Sequence, residues 1–175
     1  VSDRDVDAMR CAREAGIPVV VYGDDERLSD FDRVVADHEK GGAMVTRYLI
    51  DHGCQRIVRY WEVRERGGGV HHWLRQRDRG FERVMRERDL EPLPPVWAEN
   101  QLADRSGEAR SKPEHIEAKG RLALGWLHEH LVGPRRVDGV VALNDGAAFS
   151  VARACQIVGL TPGRDVLIAG YDNAF

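Results

Sequence analysis

Short apolar runs that do not alternate with polar residues recur along the chain, each joined to the next by a stretch with helical spacing. "IPVVVYG" begins at Ile17, "VDGVVALN" ends at Asn144 and "DVLIAGYD" ends at Asp172. A strand that is covered on both faces needs no polar side, so such runs are typical of parallel sheets. Helix and strand follow each other with short connections, which predicts an α/β fold with parallel sheet and helices on both faces.

The helical segments carry their apolar residues with the spacing of one buried face. "HEKGGAMVTRYLIDHG" is predicted to form a helix that ends at Gly53, and "WLRQRDRGFERVMRERDL" and "EHIEAKGRLALGWLHEHL" are predicted to form two more. The side chains expected to face inward from these helices are Met44, Tyr48, Leu49, Phe81, Val84, Met85 and Trp126.

Length and composition limit what the chain can do. Its 175 residues can bury one sizeable core or two small lobes. The net charge of −3 and the pI near 6.2 give no overall attraction to nucleic acid or to acidic membranes. The three cysteines are far apart and lack metal-site spacing, which favours a reduced, cytoplasmic chain.

The sequence contains neither an apolar stretch long enough to span a membrane nor an opening signal peptide. Residue 1 is Val, and the first residues already have helical spacing. The far end, "IAGYDNAF", stops directly after a predicted strand. We therefore expect the chain to begin inside a domain and to be cut at both ends.

Polar side chains follow three predicted strands at the point where each strand ends. These residues are Gly23, Asp24 and Asp25, then Asn144 and Asp145, and finally Asp172 and Asn173. Each set alone is more often a helix cap or a turn than a ligand site. Because the carboxyl ends of parallel strands meet at one edge of a sheet, the three sets together predict a cleft for a polar ligand.

Arg77 and three tryptophans are further candidates for that cleft. Arg77 lies one helical turn before Phe81, and an arginine that faces a carboxylate can bind vicinal hydroxyls or a carboxylate group. On spacing alone, Arg77 is favoured to be one solvated charge among Arg75, Arg79, Arg83 and Arg86. Indoles near loops can stack on a sugar or a base but are more often packing residues, and those near predicted loops are Trp61, Trp73 and Trp97.

The sequence lacks the familiar catalytic motifs. His71 and His72 are adjacent, and His128 and His130 are two apart, so neither pair shares a helix face. HExxH, GxSxG, GxGxxG and the phosphate loop do not occur, and the "GGG" at 67–69 lacks the following Lys and Ser/Thr. We predict a protein that is not an enzyme, with no catalytic residue, no metal site and no cofactor.

Four blocks occur in an order and spacing that belong to a known family. The first block is Asp37, Gly41, Leu49, Gly53 and Ile57, and "RDRGF", "LNDGAA" and "GYDN" follow it. Over nearly its whole length the chain resembles the effector-binding core of the lactose/galactose repressor (LacI/GalR) family. The resemblance implies the fold of the periplasmic sugar-binding proteins (type I), with two parallel-sheet, Rossmann-like lobes that are incomplete in this chain.

The resemblance also implies which residues bind the effector. Arg77, Asn144 and Asp172 match family positions that hydrogen-bond the effector, often a sugar, and Asp145 would fix the strand-to-helix turn beside Asn144. Gly23 stands where some members place a sugar-binding Asp, so Asp24 or Asp25 would replace it. The residues predicted to bind ligand are Arg77, Asn144, Asp172, Asp24, Trp97 and Trp61.

The architecture of the family implies further expectations. Residues 1–34 would form part of an N-terminal lobe and residues 35–175 the C-terminal lobe, with a crossover near 32–37. The helix at 147–158 would lie near the surface through which two subunits form a homodimer. A DNA-binding headpiece, absent from this sequence, would bind operator DNA. Effector binding would shift the population of the form that binds operator.

The predicted function is therefore the effector-sensing core of a cytoplasmic LacI-type regulator that responds to a sugar or a similar small polar metabolite. The alternative is the sugar-binding receptor of an ABC transporter, which has the same fold. "YLIDHGCQRIV" resembles the repressors more, and the cysteines disfavour an oxidising periplasm. A regulator with a different type of headpiece is a third possibility.

Overall fold

The computed structural model describes residues 3–23, 25–63, 72–99 and 113–173, and it has the predicted α/β class. The helices are α1 (Asp3–Glu14), α2 (His38–Asp51), α3 (His72–Glu87), α4 (Pro113–Leu131) and α5 (Asp145–Ile157), with a short 3-10 turn at Glu26–Leu28. The strands are β1 (Val20–Tyr22), β2 (Asp32–Val34), β3 (Ile57–Val63), β4 (Val96–Glu99), β5 (Gly139–Ala142) and β6 (Leu167–Ala169).

The strands form two separate parallel sheets. β1 pairs with β2 alone, whereas the larger sheet has the order β4-β3-β5-β6. β3 and β5 are central, and their register pairs Ile57 with Gly139 and Tyr60 with Ala142. Parallel neighbours need crossover connections, which the intervening helices supply. All strands of the larger sheet therefore end at the same edge.

Helices cover both faces of the larger sheet. Val58 and Tyr60 of β3 pack on one face with the core of α4 and α5, whereas Ile57 and Trp61 pack on the opposite face with α2 and α3. This alternation follows from the two-residue period of a strand. The small sheet has its own cluster, formed by Val6, Val21, Leu28 and Phe31.

Helices α2 and α3 cross at two glycines. A Cβ atom on Gly42 would overlap the backbone of Arg77, and one on Gly80 would overlap the backbone carbonyl of Glu39 and lie 2.8 Å from the Ala43 nitrogen. Backbone atoms cannot move aside as the tip of a flexible side chain can. The glycines therefore set how closely α3 approaches α2, and with it the position of the Arg77 backbone.

The structure confirms the predicted burial of Leu49, Phe81, Val84 and Met85. For three other residues the predicted burial is wrong. Met44 is 59% exposed, Tyr48 58% and Trp126 43%. These three side chains lie on helix surfaces that no described element covers. Helical spacing identifies an apolar stripe, but only tertiary packing decides how much of that stripe is buried.

The first predicted strand also differs from the expectation of cover on both faces. Only Val21 of β1 is buried, whereas Val20 is 65% and Tyr22 84% exposed. The reason is that β1 belongs to a two-stranded sheet with one covered face among the described residues. Within the described part of the chain, none of the helices is long and apolar enough to cross a membrane.

The cysteines differ in exposure, which predicts their reactivity. Cys11 is exposed, whereas burial raises the pKa of both Cys54 and Cys155 to about 11. Because the thiolate is the reactive form, we expect a disulfide reagent at pH 8 to modify one thiol quickly in the native chain and all three after denaturation. Rapid modification of all three thiols in the native chain would contradict this burial.

The raised pKa values of Cys54 and Cys155 also predict how the stability of the fold changes at alkaline pH. Between the ordinary thiol pKa and the raised folded value, the unfolded chain binds fewer protons than the folded chain. Stability should therefore fall as the pH rises above about 9. Urea unfolding followed from pH 7.5 to 10 measures this slope.

Candidate functional site

The ends of β5 and β6 meet beside the first turn of α5. The Asp145 N–H donates to the Tyr171 carbonyl over 3.0 Å. A Cβ atom on Gly170 would lie 2.7 Å from Asp145 Oδ1 and 3.2 Å from the Asn144 carbonyl. Glycine at 170 therefore lets the end of β6 approach the start of α5 directly.

Asn144 is the N-cap of α5. Its backbone is extended, with φ −157° and ψ −177°, and its Oδ1 accepts from the Ala147 N–H over 2.9 Å. Asp145 was expected from the sequence to fix the turn from strand to helix, whereas the side chain that caps the helix is that of Asn144. The cap uses the Oδ1 atom of the side-chain amide.

Arg77 lies on α3 and is buried in contact with two aromatic rings. Its guanidinium carbon is 3.7 Å from the centre of the Tyr171 ring and 4.8 Å from that of Trp73. Nη1 donates to the Leu143 carbonyl over 2.8 Å. The residue is only 7% exposed, so the interpretation of Arg77 as a solvated charge is wrong. Both rings stabilise the buried charge by cation–π contact.

Burial changes the titration of this cluster. Burial lowers the pKa of Arg77, against the effects of Tyr171 and Asp172, which raise it. Burial likewise raises the pKa of the Tyr171 hydroxyl to about 12, although Arg77 beside it acts in the opposite direction. The Tyr171 hydroxyl therefore keeps its proton at neutral pH and can donate to an acceptor.

Asp172 faces Arg77 across the edge of the sheet. Its Oδ1 is 4.0 Å from Arg77 Nη2, which is too long for a hydrogen bond, and its side chain is 57% exposed. The φ of Asp172 is +89° and that of Asn173 is +49°. Asp and Asn tolerate this left-handed region better than other residues with a Cβ, and the turn directs the carboxylate into solvent beside the guanidinium.

Two buried polar atoms in this cluster lack partners. Arg77 Nε and the Tyr171 hydroxyl have no hydrogen-bond partner among the described residues. Buried donors of this kind are usually satisfied, and leaving one unpaired costs free energy. The cluster of Arg77, Asn144, Tyr171 and Asp172 thus has unused hydrogen-bonding capacity.

The structure separates the predicted ligand residues into three groups. Arg77, Asn144 and Asp172 come together. Trp61 is 1% exposed and donates from Nε1 to Asp78, so it lies in the core and offers no face for stacking. Trp97 is half-buried in β4 and packs with the same core, and Asp24 lies outside the described residues.

Sequence reasoning missed Tyr171. It stands beside Asp172 in "GYDN", and its ring lies over the guanidinium of Arg77, which comes from another element. An aromatic residue directly before a strand-end carboxylate is the local signal that was available. The contact itself depends on how α3 packs.

A cavity of about 600 Å³ opens along the other side of the same strand end. It runs beside β6 between α2 and α5, and Tyr48, Phe149 and Ile168 give it a largely apolar wall. Asp145 and Asn173 reach its rim, but Arg77 and Asp172 do not line it. It is therefore a groove at the sheet edge that is distinct from the Arg77 cluster.

Comparison with known proteins identifies relatives of this architecture. Residues 46–175 match the periplasmic binding protein-like domain family. The HTH-type transcriptional repressor PurR of Vibrio vulnificus is 26% identical over 161 residues, which are 92% of this chain and 42% of that repressor. The chain thus spans about two fifths of the length of the curated relatives it matches.

Solved structures show the same fold. A LacI-family regulatory protein of Chloroflexus aggregans superposes with a TM-score of 0.69 at 21% identity, covering 99% of this chain and 64% of that one. A LacI-family regulator of Enterococcus faecium, solved with bound ribose, superposes with a TM-score of 0.67 at 20% identity. The match covers 99% of this chain and 55% of the regulator. The arrangement of strands and helices described above therefore recurs in solved proteins.

Proposed function

The chain belongs to the periplasmic binding protein-like family as an effector-binding core of the LacI/GalR type, and from this premise we propose that it senses a sugar or a similar small polar metabolite for a transcriptional regulator. The effector would bind at the Arg77 cluster. Its binding would control the attachment of operator DNA through a headpiece elsewhere in the regulator, in the cytoplasm.

The observation that carries this proposal is the pair formed by Arg77 and Asp172. The guanidinium contacts two aromatic rings, and the exposed carboxylate stands 4.0 Å from it, too far for a hydrogen bond. A ligand with neighbouring hydroxyl groups can accept from Arg77 and donate to Asp172 at the same time. The ribose bound to the Enterococcus faecium regulator supports a ligand of this class.

The connection from the site to the rest of the molecule supports a role in signalling. Asn144 caps α5, and the carbonyl of Leu143 beside it accepts from Arg77. A ligand that binds Arg77 and Asp172 would therefore influence the position of the start of α5. In the homodimer that the family resemblance implies, this helix would lie near the partner subunit. A ligand that prefers one arrangement of these elements shifts the population toward it.

We retain two lobes, residues 1–34 and 35–175, as part of the proposal. The separate sheets and the separate core cluster of the first lobe support the division. The curated relatives are transcriptional repressors, which favours a regulator over the receptor of a sugar transporter.

The test is a panel of pentoses, hexoses and planar heterocyclic bases, with D-ribose included, measured by thermal shift and then by calorimetry. We expect one class to bind and Asp172→Asn to weaken that binding by about 10- to 100-fold, because a hydrogen bond to a charged group contributes about 1.5–3 kcal/mol. Asparagine keeps the shape and tolerates the positive φ.

The matched control is Asp89→Asn. Asp89 is also exposed and has a φ of +56°, but it follows the end of α3, far along the helix from Arg77. Its replacement should leave affinity unchanged. Equal affinity of the wild type and the Asp172 variant for the bound compound would remove Asp172 from the site.

A further inference from the structure

Arg59 stands in the middle of a central strand, where apolar residues are the rule. It is 2% exposed, and its neighbours Val58 and Tyr60 are equally buried. Parallel strands covered on both faces are normally continuous apolar runs. A buried charge is costly unless it is paired and hydrogen-bonded, so the partners of Arg59 explain why it is tolerated there.

The partners of Arg59 come mainly from α3. Nη1 is 2.7 Å from Asp78 Oδ1 and 3.4 Å from Glu82 Oε1, and Nη2 donates to the Leu93 carbonyl over 2.8 Å. The guanidinium carbon lies 4.4 Å from the centre of the Phe81 ring. Strand β3 is therefore joined to α3 through a charged contact inside the core.

Asp78 links two inward-facing residues of the same strand. Its Oδ1 accepts from Arg59 Nη1 and also from Trp61 Nε1, the latter over 3.1 Å. Arg59 and Trp61 are two positions apart in β3, so they project from the same face of the sheet. One carboxylate oxygen thus fixes the turn of α3 that carries it relative to two points of β3.

That turn of α3 also carries Arg77. A rotation of the helix by about 20° would displace a guanidinium at the end of an extended side chain by on the order of 2 Å. Such a shift is enough to break the 2.8 Å bond to Leu143 and the contact with Tyr171. The glycines at the crossing with α2 set the distance between the helices, but they have no side chain that could fix rotation.

We propose that Asp78, held by Arg59 and Trp61, is a positioning residue that fixes the rotation of α3 and so directs the Arg77 guanidinium to the ligand site. The inference rests on the proposed function only in taking Arg77 as the group that contacts the ligand. Asp78 itself points to the core side of α3 and contacts β3.

The test follows Arg77 directly by NMR and needs no ligand. The Arg77 Nε–H signal is assigned with Arg77→Lys, and its nuclear Overhauser cross-peaks to the Tyr171 ring protons are recorded. We expect Asp78→Ala, which removes the oxygen that accepts from both Arg59 and Trp61, to reduce these cross-peaks at least twofold. In the control, Glu82→Ala, they should persist, because Glu82 meets the same guanidinium at 3.4 Å whereas Trp61 Nε1 donates to Asp78. Unchanged cross-peaks in Asp78→Ala would overturn the proposal.

A double variant provides a second test in case Asp78→Ala does not fold. Arg59→Met combined with Asp78→Leu replaces the ion pair by apolar side chains, which commonly preserves stability. The proposal predicts a folded chain with weakened Arg77–Tyr171 cross-peaks, and full cross-peaks would overturn it. Because no ligand is involved, failure of the proposed effector site in the compound panel is separate from failure here.

Discussion

Gly80→Ala is expected to lower the free energy of unfolding by about 3 kcal/mol, a fall in Tm of roughly 6–12 °C for a chain of this size. The added methyl group would overlap the Glu39 carbonyl and lie 2.8 Å from the Ala43 nitrogen. Both are backbone atoms of α2, so the overlap can be removed only if the two helices move apart. Urea unfolding followed by circular dichroism measures the loss.

Gly125→Ala is the matched control. Gly125 also lies inside a helix, α4, but it is exposed and a Cβ atom there meets nothing within 4 Å. Alanine should raise stability by about 0.5–1 kcal/mol, because glycine loses more backbone entropy on folding. A similar loss in both variants, or none at Gly80, would show that the helix crossing does not require glycine.

The fold class was predictable from the sequence because its signals are local. Unbroken apolar runs and helical spacing identify strands and helices wherever they stand in the fold. Whether a side chain is buried is not a local property, because it depends on which elements pack over it. Met44, Tyr48 and Trp126 have the spacing of a buried helix face and are nevertheless exposed. Gly80 illustrates the same limit, since "RDRGF" shows a glycine but not the helix that passes over it.

The candidate site was predictable where it depends on topology. Asn144 and Asp172 meet because neighbouring parallel strands end at one edge of the sheet, and that rule needs no side-chain detail. The helical spacing did signal the burial of Arg77, because Arg77 lies three and four positions from the buried Leu74 and Phe81, whereas Arg75, Arg79 and Arg83 share another face of α3. Its charge favoured the wrong interpretation, since a buried arginine needs partners that only the fold supplies. Trp61 was misplaced for a related reason: proximity to a loop in sequence does not show which face of β3 a side chain takes.

Arg77→Ala is expected to affect both stability and binding. It removes the charge-assisted bond to the Leu143 carbonyl and the contacts with Tyr171 and Trp73, which should cost about 2 kcal/mol of unfolding free energy. For a compound that binds the wild type, affinity should fall on the order of 100-fold, since the site loses its cationic donor. Calorimetry and urea unfolding measure the two effects separately.

Arg75→Ala distinguishes this expectation from a general effect of charge. Arg75 carries the same charge on the same helix but is exposed, so its replacement should change stability by no more than about 0.5 kcal/mol and leave affinity intact. The contrast depends on burial: Arg77 is only 7% exposed, and its Nε has no hydrogen-bond partner among the described residues, so a ligand atom can supply one. Equal losses in both variants would mean that net charge, and not the buried guanidinium, attracts the ligand.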